Sequence, residues 1–252
     1  MTSMTSADQV GRADQVGHAD QAAFEEYFCA TGKHAPPRHL GSRFDAAGNF
    51  LPQPGNTVVR QVVPGSKTET ALARVRDALV QLPFGDCFAY TPAKSWHMTV
   101  FEGVMDDRRK PDLWPAKISY EATMDDTTEL FLERLTGLPP LPSFNMKVER
   151  VTPLGLTLTG ATSEDERIVR KIRDQLAKPF GYRSPTHDTY RFHITLAYVK
   201  AWLPAGATET YLPELGRLTE AFAAEVEILE LAPPALCTFE DMTWFEPVLF
   251  LG

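Results

Sequence analysis

Two five-residue stretches share one pattern, in which His and Thr alternate with apolar residues: Trp96-His97-Met98-Thr99-Val100 and Phe192-His193-Ile194-Thr195-Leu196. In an extended strand, side chains at positions i and i+2 point to the same side. Each stretch therefore predicts a strand whose His and Thr share one face, while its three apolar residues face a core. Such a strand is a candidate carrier of acid–base chemistry.

The same series of elements precedes both stretches. β-Branched or alternating residues predict strands over 58–63 and 154–159. Ser66-Lys67-Thr68-Glu69 and Ser163-Glu164-Asp165-Glu166 then have the capping-box pattern that begins a helix. Apolar residues at helical spacing follow each capping pattern, so a strand and a capped helix are predicted before both His-Thr strands.

The spacing of these features is nearly the same in both halves of the chain. Pro83 and Pro179 begin the Pro-Phe-Gly tripeptides that are predicted to stop the helices, and each lies 14 residues before the following His. This recurrence predicts an internal duplication with an offset of about 96 residues. We expect an α+β protein with a bilobal, pseudo-twofold, duplicated fold, in which two antiparallel sheets face a central cleft and helices lie outside.

The rest of the chain divides into three predicted parts. Residues 1–21 form a low-complexity repeat with too little apolar surface to fold alone, so we expect a flexible tail. Residues 22–56 predict a short helix and a long loop. Residues 57–252 form the duplicated domain, with lobes over about 57–140 and 141–252 that could exchange strands.

The long loop contains a local basic cluster in an otherwise acidic chain: Lys33, His34, Arg38, His39 and Arg43. One interpretation is a solvated arm that packs over the surface. The other is a flap that brings positive charge to an anionic ligand. The sequence leaves both open.

Composition excludes several classes of protein. The chain has 252 residues, of which 43% are hydrophobic and 23% charged, as in globular proteins that need neither disulfides nor a metal for stability. Its three cysteines lack C-x-x-C spacing, and its net charge of −8 argues against a protein that grips long nucleic acids. The amino terminus is too polar for a signal peptide and no apolar run approaches 18 residues, so we expect a cytoplasmic protein without membrane contact.

The two His-Thr pairs suit phosphoryl chemistry. One imidazole can be neutral and accept a proton while the other is charged and donates one. Each Thr hydroxyl can donate a hydrogen bond to a phosphate oxygen. His97, His193, Thr99 and Thr195 are therefore the catalytic candidates, and the chemistry requires no metal and no cofactor. Which His is the base stays open.

Four further residues are candidates for substrate binding. Arg191 shares the face of His193 if the strand extends that far, and it could contact a phosphate. Tyr198 and Tyr90 could stack on a base, and Lys94 could add positive charge. The alternatives are an exposed arginine at a strand end and aromatic residues of the core or rim.

From about Val58 to its carboxyl terminus, the chain with these two H-x-T-hydrophobic tetrapeptides resembles the 2H phosphoesterase superfamily. That superfamily includes bacterial 2′,5′-RNA ligase-like proteins and cyclic nucleotide phosphodiesterases. The resemblance implies a bilobal α+β fold with a central cleft, and metal-independent chemistry on 2′,3′-cyclic or 2′,5′-linked phosphates. The chain departs from the RNA ligase-like branch at Tyr198, where that branch often has a basic residue, and at Glu102, which would repel an anion if it faced inward.

The sequence thus predicts a cyclic phosphodiesterase-like hydrolase, metal-independent, acting on 2′,3′-cyclic phosphates or 2′,5′-linked nucleotides. The expected partner is a small phosphorylated nucleotide or an RNA end, bound by a monomer without an extended nucleic-acid surface. Two alternatives stay open. One is a non-catalytic protein that binds a phosphonucleotide or RNA end in the same cleft, and the other is an RNA end-processing ligase or exonuclease, which needs a basic track beside the cleft.

Overall fold

The computed structural model describes residues 20–252, so the tail predicted over residues 1–21 lies outside the described residues except for its last two. Helix α1 covers residues 20–28 and leads into the long loop. The remaining helices and strands follow in the order β1 (Gly55–Gln61), α2 (Lys67–Gln81), β2 (Phe88–Tyr90), β3 (His97–Phe101), α3 (Met124–Thr136), β4 (Met146–Thr152), β5 (Gly155–Gly160), α4 (Ser163–Phe180), β6 (His193–Thr195), β7 (Ala197–Val199), α5 (Ala207–Glu225), β8 (Ala235–Phe239) and β9 (Glu246–Phe250). None of the helices in this part of the chain is long and apolar enough to cross a membrane.

One seven-stranded antiparallel sheet, in the order β4-β5-β6-β3-β1-β8-β9, organises the fold. The short strands β2 and β7 form a separate antiparallel pair. The structure confirms the mixed α+β class. Two antiparallel sheets are present, but they are one large and one small sheet and do not correspond to the two halves of the chain. β3 and β6 pair directly, with Met98 opposite Ile194, and so join both halves in the large sheet.

Both His-Thr strands bury the face that their sequence predicts. The six apolar residues are each at most 1% exposed: Trp96, Met98, Val100, Phe192, Ile194 and Leu196. The apolar stripes of the helices join the same core through Leu72, Val75 and Leu79 of α2 and through Val169, Ile172 and Leu176 of α4. This burial fixes the register of the sheet, since a shift of one residue would turn His and Thr into the core.

The two capped helices begin and end differently. Ser66 caps α2 as predicted, and its hydroxyl accepts from the Glu69 amide at 3.1 Å. The cap of α4 is one residue earlier than predicted, because Thr162 and Asp165 form the reciprocal pair of a capping box, with bonds of 3.0 and 3.1 Å. Ser163 is instead the first helical residue.

The two Pro-Phe-Gly tripeptides are not equivalent in structure. Helix α4 continues through Pro179 and Phe180 and ends at Gly181, whose φ of +75° is left-handed. Phe180 is fully buried against Phe101 and Phe131, with ring centroids 4.7 and 4.3 Å away. This packing stabilises the last turn, whereas Phe84 of the first tripeptide is 47% exposed.

Gly155 allows β5 to approach the second His-Thr strand. Its φ is +135°, and a Cβ atom at this position would lie 2.1 Å from the Ile194 carbonyl oxygen and 2.9 Å from the Leu196 nitrogen. No L-residue with a side chain tolerates both the conformation and the contact without a shift of the backbone.

We predict that Gly155→Ala lowers the free energy of unfolding by about 2 kcal/mol or more, because either φ or the β5–β6 spacing must change. Urea denaturation followed by circular dichroism measures the loss. Gly216→Ala is the matched control, since it lies exposed in α5 with no atom within 4 Å of the added Cβ. It should raise the stability by roughly 0.5–1 kcal/mol. Equal midpoints for the two variants would refute this explanation of Gly155.

Candidate active site

The polar face of β3 and β6 lines a cleft of about 720 Å³. His97, Thr99, His193 and Thr195 all border it. Their exposure alternates with that of the buried apolar residues between them. The sheet therefore brings the four catalytic candidates together on one surface.

The strand register sets how these side chains face one another. Because Met98 pairs with Ile194 in antiparallel orientation, His97 lies across from Thr195, and His193 lies across from Thr99. Opposite Cβ atoms are about 4.5–5.5 Å apart and diagonal ones about 7–8 Å. The two imidazoles are diagonal neighbours, so one phosphate group can contact both.

The same backbone contact orients both imidazoles. Nδ1 of His97 lies 2.6 Å from the carbonyl oxygen of Ser95, and Nδ1 of His193 lies 2.9 Å from that of Arg191. A carbonyl oxygen only accepts, so Nδ1 carries the proton, and Nε2 of the neutral ring is left as an acceptor. Each His is thus held by the residue two positions before it, with Nε2 available for a ligand.

The environments of the two imidazoles differ. His97 is half-buried, and its ring centroid lies 4.0 Å from that of Phe245. Burial lowers the pKa of His97 from 6.5 to about 4, although its hydrogen bond to Ser95 opposes this and the nearby His193 contributes to it. His193 is exposed. His97 is therefore in its neutral form at neutral pH.

Tyr190 is a cleft residue that sequence reasoning missed. Its ring centroid is 6.0 Å from that of His193 and 4.0 Å from the guanidinium carbon of the buried Arg173. Burial raises the pKa of Tyr190, so the phenol stays protonated. Arg173 also donates to the carbonyl oxygen of Val100 at 2.7 Å and so supports β3 from below.

Of the four candidates for substrate binding, the structure brings two to the cleft. Arg191 is exposed and borders it, and so does Tyr198. Tyr90 and Lys94 do not line it. Tyr90 instead pairs in the small sheet with Ala197, because β2 leaves the main sheet, and Lys94 is exposed on the turn before β3, so neither is assigned to substrate binding.

The long loop before β1 runs along the cleft, where Arg38, His39 and Arg43 border it. The Arg43 side chain is buried, and its guanidinium carbon lies 5.1 Å from the ring centroid of Tyr198. The structure therefore favours the flap interpretation for these three residues. Lys33 lies instead over the ring of Trp202, at 3.7 Å.

The cleft is positively charged although the protein is acidic. Four guanidinium groups border it: Arg38, Arg43, Arg108 and Arg191. The one carboxylate among its described lining residues is that of Glu102, which lies 3.8 Å from Arg108 and accepts from the Ser184 hydroxyl at 3.3 Å. Glu102 does face the cleft, but its charge is paired, so the lining still favours an anion.

A group of potential metal ligands lies outside the cleft. Asp174, His187 and Asp188 bring ligand atoms within 4.8 Å of one another. Arg183 forms ion pairs with both carboxylates, at 3.1 and 2.7 Å, and His187 Nε2 lies 3.1 Å from Asp174. We therefore interpret this group as an ion-pair cluster that holds the loop after α4.

The chain is similar to a known protein family and to a protein of known structure. The family model 2H-phosphodiest, described as a domain of unknown function (DUF1868), matches residues 43–157, which include the first His-Thr strand. The crystal structure of a conserved protein of unknown function from Agrobacterium tumefaciens str. C58 is 41% identical, with a TM-score of 0.88, and the match covers 90% of this chain and 98% of that one. No curated protein matches significantly.

We predict that the His97 imidazole titrates with a midpoint near pH 4 and carries its proton on Nδ1 at neutral pH. Two-dimensional ¹H–¹⁵N NMR of the histidine rings measures both. Phe245→Ala should raise the midpoint towards 6.5, because water then reaches the charged form. Phe84→Ala, at an exposed site outside the cleft, is the control and should leave it unchanged. A wild-type midpoint near 6.5 would contradict the assigned effect of burial.

Proposed function

Because the chain belongs to the 2H phosphoesterase superfamily, we propose that it is a metal-independent phosphodiesterase that hydrolyses 2′,3′-cyclic phosphates or 2′,5′-linked nucleotides. The observation that carries the proposal is the pair of diagonal imidazoles, each with Nδ1 on the carbonyl oxygen two residues earlier. Four arginines border the same cleft, and their charge favours an anionic substrate such as a phosphodiester.

The two imidazoles divide the acid–base work according to their burial. His97 is neutral, so its Nε2 accepts a proton from water as the water oxygen attacks phosphorus. His193, in its charged form, donates a proton to the 2′- or 3′-oxygen as the phosphorus–oxygen bond breaks. The negative phosphate favours the charged form of His97 and so strengthens this base once substrate is bound. Exchange with solvent then restores both rings.

The hydroxyl groups and Arg191 hold the phosphate during this transfer. Thr99 lies across from His193, and Thr195 lies across from His97, so one hydroxyl can donate to a non-bridging oxygen on each side. Arg191 adds charge at the entrance of the cleft.

We attribute the symmetry of this site to an internal duplication. In the sheet, β6 and β3 are neighbours, and β5 and β1 lie on their outer sides, so β6 corresponds to β3 and β5 to β1. In the sequence, a helix lies between β1 and β3 and another between β5 and β6. In this proposal residues 57–252 form the duplicated domain, and β8 of the second lobe pairs with β1 of the first. The protein would act as a monomer on a small nucleotide or an RNA end.

We predict that His97→Ala and His193→Ala each lower kcat on a nucleoside 2′,3′-cyclic phosphate by about 10²–10⁴-fold, because each removes one proton-transfer group. The wild-type rate should persist in EDTA. His34→Ala is the matched control, since His34 is exposed and does not border the cleft, and it should stay within about twofold of wild type. Steady-state assays on cyclic and 2′,5′-linked substrates provide the measurement.

Two results would contradict the proposal. Loss of activity in EDTA with recovery on addition of zinc would exclude the metal-independent mechanism. Binding of these ligands without turnover on any of them would identify a phosphonucleotide-binding protein instead, and joining of RNA ends would identify a ligase.

A further inference from the structure

We propose that the loop before β1 builds a second anion subsite in the cleft, in which Arg38, Arg43 and Arg108 bind a second phosphate group of the substrate. This inference rests on the proposed function, because the His-Thr array is taken as the place of the reacting phosphate. It adds that the preferred substrate is a cyclic or 2′,5′-linked nucleotide with a further phosphate, such as a 5′-phosphate.

Arg43 is a buried cation that is oriented by neutral groups. Its side chain is 7% exposed, and its Nε donates to Oε1 of Gln53 at 2.8 Å. Gln53 is held in turn by Oδ2 of Asp107 at 2.7 Å. Among the described residues, Arg43 forms no ion pair with a carboxylate. A buried guanidinium without a counter-charge is costly, and a bound anion would offset that cost.

Two further guanidinium groups add positive charge beside Arg43, and a neutral imidazole lies with them. Arg38, Arg108 and His39 border the cleft together with Arg43. Burial, followed by the charges of Arg43, Arg38 and Arg108, lowers the pKa of His39 to about 4. The imidazole is therefore neutral, and the three guanidinium groups around it face a single carboxylate, Glu102, in the lining.

Tyr198 fixes the position of this subsite relative to the His-Thr array. Arg43 and His39 both pack on its ring, at 5.1 and 6.0 Å from its centroid. The amides of Leu196 and Ala197 both donate to the Leu154 carbonyl oxygen, at 2.7 and 3.2 Å, which interrupts the regular alternation of the strand. Because of this interruption, Tyr198 faces the same cleft as Thr195. Thr195 and Tyr198 are three residues apart, which is at most about 10 Å, so the two anion sites are close enough for one nucleotide.

The subsite is built in advance of binding. Phe44 follows Arg43, is completely buried, and stacks on Tyr198 with ring centroids 5.8 Å apart. The loop is therefore anchored in the domain at the residue beside Arg43. Guanidinium groups bind phosphate through two parallel N–H donors, so a phosphate is the group that this arrangement suits best.

The test compares a nucleoside 2′,3′-cyclic phosphate with and without a 5′-phosphate. In the wild type, the 5′-phosphate should raise kcat/KM by about 10–100-fold, as expected for charge-assisted hydrogen bonds. In Arg43→Gln the ratio of kcat/KM with the 5′-phosphate to kcat/KM without it should fall to about 1–3. Arg38→Gln, at an exposed position that folding does not require, should also lower the ratio. Arg167→Gln, exposed on α4 and paired with Glu164, is the matched control and should preserve it.

A wild-type ratio near 1, or an unchanged ratio in both cleft variants, would overturn the subsite. If neither cyclic substrate reacts, the proposed function fails, and calorimetry tests the subsite separately. A nucleoside 5′-monophosphate should then bind the wild type at least tenfold more tightly than Arg43→Gln, while the unphosphorylated nucleoside binds both alike. Equal affinity of the monophosphate for both proteins would overturn the subsite by itself.

Discussion

The candidate active site depends on the antiparallel pairing of β3 with β6, in which Met98 lies opposite Ile194. Both residues are buried, so this register places His97 and His193 diagonally on the opposite face. If either strand slipped by one residue, its imidazole would be buried and its central apolar residue, Met98 or Ile194, would be exposed. The core beneath the sheet therefore determines the geometry of the polar face above it. Two further residues support this pairing. Arg173 donates to the Val100 carbonyl oxygen of β3, and Gly155 allows β5 to approach β6 closely.

The two imidazoles occupy equivalent positions on β3 and β6, but their environments differ in burial. Both imidazoles have the same backbone contact, but Phe245 covers His97 and leaves His193 exposed. Burial lowers the pKa of His97 to about 4 and keeps this ring neutral at neutral pH. The arginines of the cleft come from distant parts of the chain, and one of them, Arg43, lies over Tyr198. An acidic protein can thus present a basic cleft without a basic surface.

The sequence predicted local features better than their assembly. The alternation of His97 and Thr99 with buried residues, the cap at Ser66 and the apolar stripes follow from short-range periodicity, and the structure confirms them. The joining of both halves in one large sheet could not be predicted, because the pairing of β3 with β6 has no signal in the sequence of either strand alone. The end of α4 beyond Pro179 depends on tertiary packing of Phe180.

The composition of the cleft was also only partly predictable. Tyr190 lies in an irregular segment without periodicity. Phe245 immediately precedes β9, about 150 residues after His97 in the sequence, so its contact with that imidazole depends on the tertiary fold. Tyr90 was misplaced because β2 pairs with β7 and not with the main sheet. The basic loop was visible in sequence, but its path along the cleft depends on the burial of Phe44 against Tyr198.

The most direct measurement is a crystal structure of the protein with a nucleoside 2′-monophosphate, a product of the proposed reaction. The account predicts one phosphate between the two strands, with Nε2 of His97 and Nε2 of His193 each about 2.7–3.2 Å from a phosphate oxygen. A phosphate bound away from β3 and β6, or one that contacts only one of the two imidazoles, would contradict it.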